Sequence, residues 1–183
     1  MTSRRPEEPA APTRVTGLPA DAMAVDHEHF KATLRRWASG VSIITTCAGD
    51  RVLGMTVSAF TSVSLDPPLV LVCVEKKAHT LPLIEESHVF AVNVLASDQR
   101  ALSTRFATDG NEAVRFEGLE CRRGDTGAPR LPGVLAVLDC KVVAAHEAGD
   151  HVIYVGEVLD TEYDETREPL LYYDARYRGL APR

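Results

Sequence analysis

The chain has 183 residues, 45% of them hydrophobic and 25% charged, and a formal net charge of −6. That length suits one domain with a substantial core. Acidic residues are spread along the chain without a concentrated basic face, which argues against nucleic acid or an anionic membrane as partner. No apolar run is long enough to span a bilayer.

Residues 1–25 carry Pro6, Pro9, Pro12 and Pro19 among small and charged residues, without periodic apolar positions. They are expected to form a disordered tail and lack the apolar h-region of a secretory signal. The folded domain is expected over 26–183. Asp26 can cap a helix in which Phe30, Leu34 and Trp37 recur at helical spacing, with Gly40 as its stop. This amphipathic helix is expected to pack on a sheet, leaving Lys31, Arg35 and Arg36 outward.

Strand character follows. Val41 to Thr46 is β-branched, Ala48-Gly49-Asp50 is turn chemistry, and Val52 to Val57 reads as the returning strand of a hairpin. Ser58 to Ser64 is expected to leave the strand as a loop. Asp66-Pro67-Pro68 breaks the ladder because proline lacks the amide donor. Leu69 to Val74 is continuously apolar and is expected to be buried on both faces. Thr80 can cap a short helix through Ser87. His88 to Leu95 is a strand, and Ser97 can cap a helix running to Phe106. Thr108 to Pro132, rich in Gly, Pro and charge, reads as a long loop. Two long strands, Val134 to His146 and His151 to Leu159, turn through Ala148-Gly149-Asp150, and Pro169 to Tyr173 is the last strand. About six or seven strands with few helices favour a small antiparallel barrel, whose closure removes exposed edges.

Four segments carry candidate chemistry. Gly54 to Ser64 places hydroxyls at Thr56, Ser58, Thr61, Ser62 and Ser64, with Gly54 open to close approach of a ligand. Such a segment can wrap a phosphate or the polar edge of a heterocycle, or can equally satisfy its own turn. Glu75-Lys76-Lys77-Ala78-His79-Thr80 puts two lysines before a helix start, either an anion site or a solvated turn. Gly149-Asp150-His151 starts a strand after a tight turn, where His151 points into a barrel mouth or bonds the backbone. Pro169 to Tyr177 combines aromatics with Arg176, to close over a ring system or to pack. Cys47, Cys73, Cys121 and Cys140 form no CxxC pair and have no histidine at metal-ligand spacing. They read as reduced thiols of a cytoplasmic protein, and no metal is expected. No GxGxxG follows a strand, so a nicotinamide cofactor would have no Rossmann site.

In their order, these segments resemble the flavin reductase family of the FMN-binding split-barrel type. Trp37 to Thr46 looks like the family's opening helix and first strand, and Gly54 to Pro68 like its flavin loop. Phe90 to Leu95, Leu102 to Ala107, Gly149 to His151 and Pro169 to Tyr173 continue the match, which covers about Phe30 to Leu180. The resemblance implies a mainly β fold with a few helices, an antiparallel FMN-binding split β-barrel. It implies a homodimer that binds FMN or FAD near the subunit interface and oxidises NADH or NADPH. Many members supply reduced flavin to a separate flavin-dependent monooxygenase.

By that resemblance Thr56, Val57 and Ser58 line the isoalloxazine, with Gly54 and Met55 as further cofactor-binding candidates, while Ser62 and Ser64 lie near the ribityl chain or phosphate. Cys73, Val74 and Lys76 are further cofactor-binding candidates, and Lys77 and Thr80 are phosphate candidates. His151 is the catalytic candidate beside the flavin ring and the incoming nicotinamide. Phe106 shapes the entrance and Tyr173 closes over the ring. Ala59 and Ala78 stand where members often carry serine, which leaves the choice of FMN or FAD open. Two other functions suit the same barrel: a flavin- or haem-binding carrier or sensor without turnover, and a flavin-dependent oxidase with its own organic substrate.

Overall fold

A computed structural model describes residues 25–110 and 112–181. The expected tail lies outside them except for Val25. Helix α1 (His27–Leu34) leads through β1 (Ser39–Gly40) into the hairpin of β2 (Ser42–Ala48) and β3 (Arg51–Val57). A second hairpin joins β4 (Phe60–Leu65) to β5 (Pro68–Glu75), turning at Asp66-Pro67. Helix α2 (Thr80–Ser87), β6 (Val89–Val94) and α3 (Arg100–Ala107) follow. A short pair, β7 (Arg122–Arg123) and β8 (Pro129–Arg130), precedes the long hairpin of β9 (Ala136–Ala148) and β10 (His151–Tyr163). The chain ends in a hairpin of β11 (Leu171–Tyr173) and β12 (Arg176–Arg178), with β11 paired to β1.

Seven strands form one antiparallel sheet in the order β3-β2-β6-β9-β10-β5-β4. Its two edge strands, β3 and β4, are consecutive in sequence and joined only by Ser58 and Ala59. Two linking residues can span roughly 10 Å at most. The sheet must therefore roll until its edges nearly meet, which makes an antiparallel barrel split along the β3–β4 seam. The amide of Cys73 donates to the Ala59 carbonyl at 3.1 Å, tying β5 to that link.

Burial follows from the roll. Ile44, Val70, Val72, Val74, Phe90 and Val92 fill the interior, together with Leu81 and Ile84 of α2. Burying each such side chain is worth about 1.5–3 kcal/mol. Val41 and Ile43 pack on the other side of β2 with Leu95, Phe106, Leu131 and Leu170. This second layer is what seats α3 and the C-terminal hairpin outside the barrel.

Several expectations are corrected. Helix α1 is capped by Asp26, whose carboxylate accepts from the His29 amide at 2.9 Å, but it ends at Leu34 and buries no residue. Both faces of β2 are already filled, so α1 cannot pack on the sheet, and Gly40 belongs to β1 instead of stopping the helix. The segment expected to loop becomes β4, an edge strand whose outward hydroxyls suit a solvated face. Strand β5 alternates, with Val70, Val72 and Val74 inward and their neighbours half-buried, so only one face is in the core. Thr80 is the first residue of α2 rather than its cap. At α3 the cap position is Gln99, not Ser97, and its side chain accepts from the Ala96 amide at 2.9 Å. The long loop contains β7 and β8.

Candidate functional site

Strand β3 stays paired with β2 to its end at Val57, beside the seam. A groove of about 530 Å³ there is walled by Met55 and Thr56, by Lys77 and Thr80 at the start of α2, and by Phe106 at the end of α3. Thr56 also lines a smaller pocket of about 190 Å³ with Val57, Ser58, Tyr172 and Tyr177. Ser58 and Tyr172 then line a third groove, of about 590 Å³, that runs under α1. Adjacent members share residues, Thr56 and Ala107 for the first two and Ser58 and Tyr172 for the last two, so the three lie side by side as a trough at the end of β3.

The trough thus brings together Met55, Thr56, Val57, Ser58, Lys77, Thr80 and Phe106 among the sequence candidates. Others lie elsewhere. Val74 is fully buried in the barrel interior. Ser62 and Ser64 sit on β4, away from the lining. Cys73 is half-buried, and burial pushes its thiol up, away from nucleophilic character. Lys76 pairs with Glu147 at 3.2 Å. Tyr173 is exposed, and its strand neighbour Tyr172 lines the trough instead. His151 begins β10 opposite Glu75, which does line the groove. Its Nδ1 lies 2.7 Å from Asp150 Oδ1, and this hydrogen bond holds the Asp150 carboxyl below its usual range.

Gly54 has a different role from the one its sequence context suggests. A Cβ there would stand 2.9 Å from Phe106 Cε1 and 3.0 Å from the Ile44 carbonyl. The protein's own Phe106, edge-on against Phe116 at 5.1 Å, fills the space on the side where a Gly54 side chain would stand. Gly54→Ala is expected to displace Phe106 and cost about 1–3 kcal/mol. Chemical denaturation measures this, and an unchanged midpoint would show that Phe106 yields freely.

Sequence reading missed Arg115. Its side chain is 6% exposed, although it comes from the long charged loop. Nη1 donates to the Gly54 carbonyl at 2.7 Å, and Nη2 to the Thr108 carbonyl at 2.8 Å. Nη2 also lies 3.3 Å from Glu112 Oε1, and the Glu112 carboxyl is held low, first by its own amide and then by Arg115. Arg115 therefore clamps the wall that follows α3 to β3. No single-sequence signal marks it, because its partners are carbonyls. Tyr177 was within a noted motif; its hydroxyl lies 2.9 Å from Ser103 Oγ. Among the described residues, no cluster of three or more His, Cys, Asp or Glu could hold a metal ion.

Comparison with known proteins bears on this arrangement. A family model described as "Flavin reductase like domain" matches residues 34–181. An NADH-dependent flavin reductase of Rhodococcus sp. is 43% identical over 155 residues, covering 83% of this chain and 85% of that protein. The reductase component of an FADH(2)-dependent resorcinol hydroxylase of Rhizobium sp. is 41% identical, covering 85% and 88%. Among solved structures, an NADH:FAD oxidoreductase of Streptomyces globisporus in complex with NAD and FAD fragments superposes with a TM-score of 0.80. It is 34% identical, covering 88% of this chain and 98% of that one.

Proposed function

The chain belongs to the family of flavin reductase like domains, and on that premise we propose that it transfers hydride from NADH or NADPH to FMN or FAD and supplies the reduced flavin to a partner monooxygenase. The observation that carries this reading is the trough at the barrel seam, where the Thr56–Ser58 segment, Lys77 and Thr80 converge. Those residues fit a flavin: Lys77 and the start of α2 suit a phosphate, and the mixed apolar and hydroxyl walls suit a planar ring.

A bound flavin supplies a hydride acceptor, N5, to the C4 donor of the nicotinamide. The protein's part is to hold two rings in contact and to stabilise developing charge. Met55 and Phe106 line the groove and Val57 the adjoining pocket, where their apolar surfaces would exclude water. His151, hydrogen-bonded to Asp150, pairs across the strands with Glu75 of the groove wall, which supports a part for it in meeting the nicotinamide.

A homodimer is part of this reading, and apolar side chains that one chain leaves bare support it. Val63 and Leu65 project from the edge strand β4 at 49% and 94% exposure. An apolar edge is a template for pairing, and a second copy would cover it. A sedimentation mass of one chain would remove the dimer. Four free cysteines fit the reducing cytoplasm. No helix among the described residues is long and apolar enough to cross a membrane.

The test is NAD(P)H consumption measured with two nicotinamides and two flavins. Turnover proportional to added free flavin is expected. Tight flavin without NAD(P)H consumption would make the chain a carrier, and reduction only by an organic substrate would make it an oxidase. In the same assay His151→Ala is expected to lower kcat/KM for the nicotinamide about tenfold. Stability should stay within about 0.5 kcal/mol, because the side chain is partly exposed. Unchanged stopped-flow flavin reduction would sink that role for His151.

A further inference from the structure

We propose that the cavity between the end of α2 and the β9–β10 hairpin binds a small primary ammonium ion, held by the Tyr154 hydroxyl and the Glu85 carboxylate. The cavity encloses about 270 Å³ and shares no residue with the trough at the end of β3. Helix α2 stands between the two. Thr80 at its start lines the groove proposed for flavin, whereas Glu85 in its last turn and His88 just beyond line this cavity. The helix has eight residues, which span roughly 12 Å. The inference therefore stands apart from the reductase reading.

Tyr154 packs in the barrel core at 2% exposure and also lines this cavity. Its hydroxyl has no hydrogen-bond partner among the described residues. A buried hydroxyl left so costs free energy, and nearly all such groups in folded proteins are paired. Burial first, and then the Glu85 carboxylate, push the phenol up, so it stays protonated beside that charge. No Lys, Arg or His among the described residues pairs with Glu85, whereas Glu86 is held by Arg51 and Glu147 by Lys76. The last turn of α2 carries no basic residue, and a helix C-terminus favours a cation. An ammonium group offers three donors, enough for the carboxylate and the hydroxyl oxygen together. Val142, Ala145 and Val152 give a short alkyl chain an apolar wall. The rim is fixed by main chain: the His88 amide donates to the Ile84 carbonyl and the Val142 amide to the His88 carbonyl, both at 2.8 Å. A divalent metal is the competing cation, but no group of three or more His, Cys, Asp or Glu among the described residues could hold one.

Calorimetric titration of the full chain with n-butylamine tests this, with 1-butanol as the uncharged control. Saturable binding of the amine is expected, about tenfold tighter than the alcohol, and about tenfold weaker in Tyr154→Phe and in Glu85→Gln. Tyr154→Phe keeps the ring and deletes only the unpartnered hydroxyl, so without amine its Tm should equal or exceed that of the parent. A lower Tm would show that the hydroxyl already has a partner and would overturn the proposal. Absence of binding, or equal binding of the alcohol, would do the same. Amine binding indifferent to both substitutions is counter-ion binding to an acidic surface and also overturns it. A Tm that rises with protein concentration in the parent but not in Tyr154→Phe would give the hydroxyl to a second copy, with the same result. All of these leave flavin reduction untouched. A chain that binds the amine but never oxidises NADH or NADPH would sink the reductase reading and keep this site.

Discussion

Asp139→Ala is expected to lower unfolding stability by about 3 kcal/mol, or roughly 10 °C in Tm. Asp139 is fully buried in the wall of β9. Its carboxylate accepts from the Thr126 amide at 3.0 Å and the Thr126 hydroxyl at 2.5 Å, and Arg130 Nη2 lies 3.4 Å away. All three partners are donors, so alanine would strand two Thr126 groups and half-strip a buried guanidinium. Arg130 keeps Asp160 at 2.6 Å, which is why the loss stops short of a fully orphaned charge. Asp139→Asn keeps the shape but offers only one accepting oxygen to donors on both sides, and should cost about 2 kcal/mol. Urea denaturation of both variants measures the pair. An Asn variant as stable as the parent would mean that charge has no part in holding β7 and β8 against β9.

Much of the fold can be read locally, and its failures share one cause. The hairpins at Ala48-Gly49-Asp50 and Ala148-Gly149-Asp150 form where turn chemistry separates β-branched runs. Closure of the barrel, by contrast, is a long-range fact. It turns the Ser- and Thr-rich segment into an edge strand, and it leaves only one face of β5 in the core. It also fills both sides of β2, so that α1, whose periodicity asked for a sheet to pack on, is left without one. The candidate site divides along the same line. Thr56, Val57 and Ser58 meet Lys77, Thr80 and Phe106 in one trough. Motif order alone could not say that Val74 points inward or that Gly54 is claimed by Phe106.

Arg115 is where that long-range logic bears most on activity. Arg115→Ala is expected to raise the KM for flavin by tenfold or more and to lower stability by about 2 kcal/mol. The guanidinium holds the Gly54 carbonyl on β3 and the Thr108 carbonyl at the end of α3, at 2.7 and 2.8 Å. Met55 and Thr56 on β3, and Phe106 and Ala107 at the end of α3, line the groove proposed for flavin, as does Arg115 itself. Without the clamp both carbonyls lose a buried donor, and the walls are free to separate. Lysine carries the charge but presents a single ammonium in place of a planar fork, so Arg115→Lys can hold one carbonyl and should recover only part of the loss. Added guanidinium should restore flavin KM in the alanine variant, a response that a general loss of packing would not give. An alanine variant with reduced stability and unchanged flavin KM would show that Arg115 braces the fold without shaping the site.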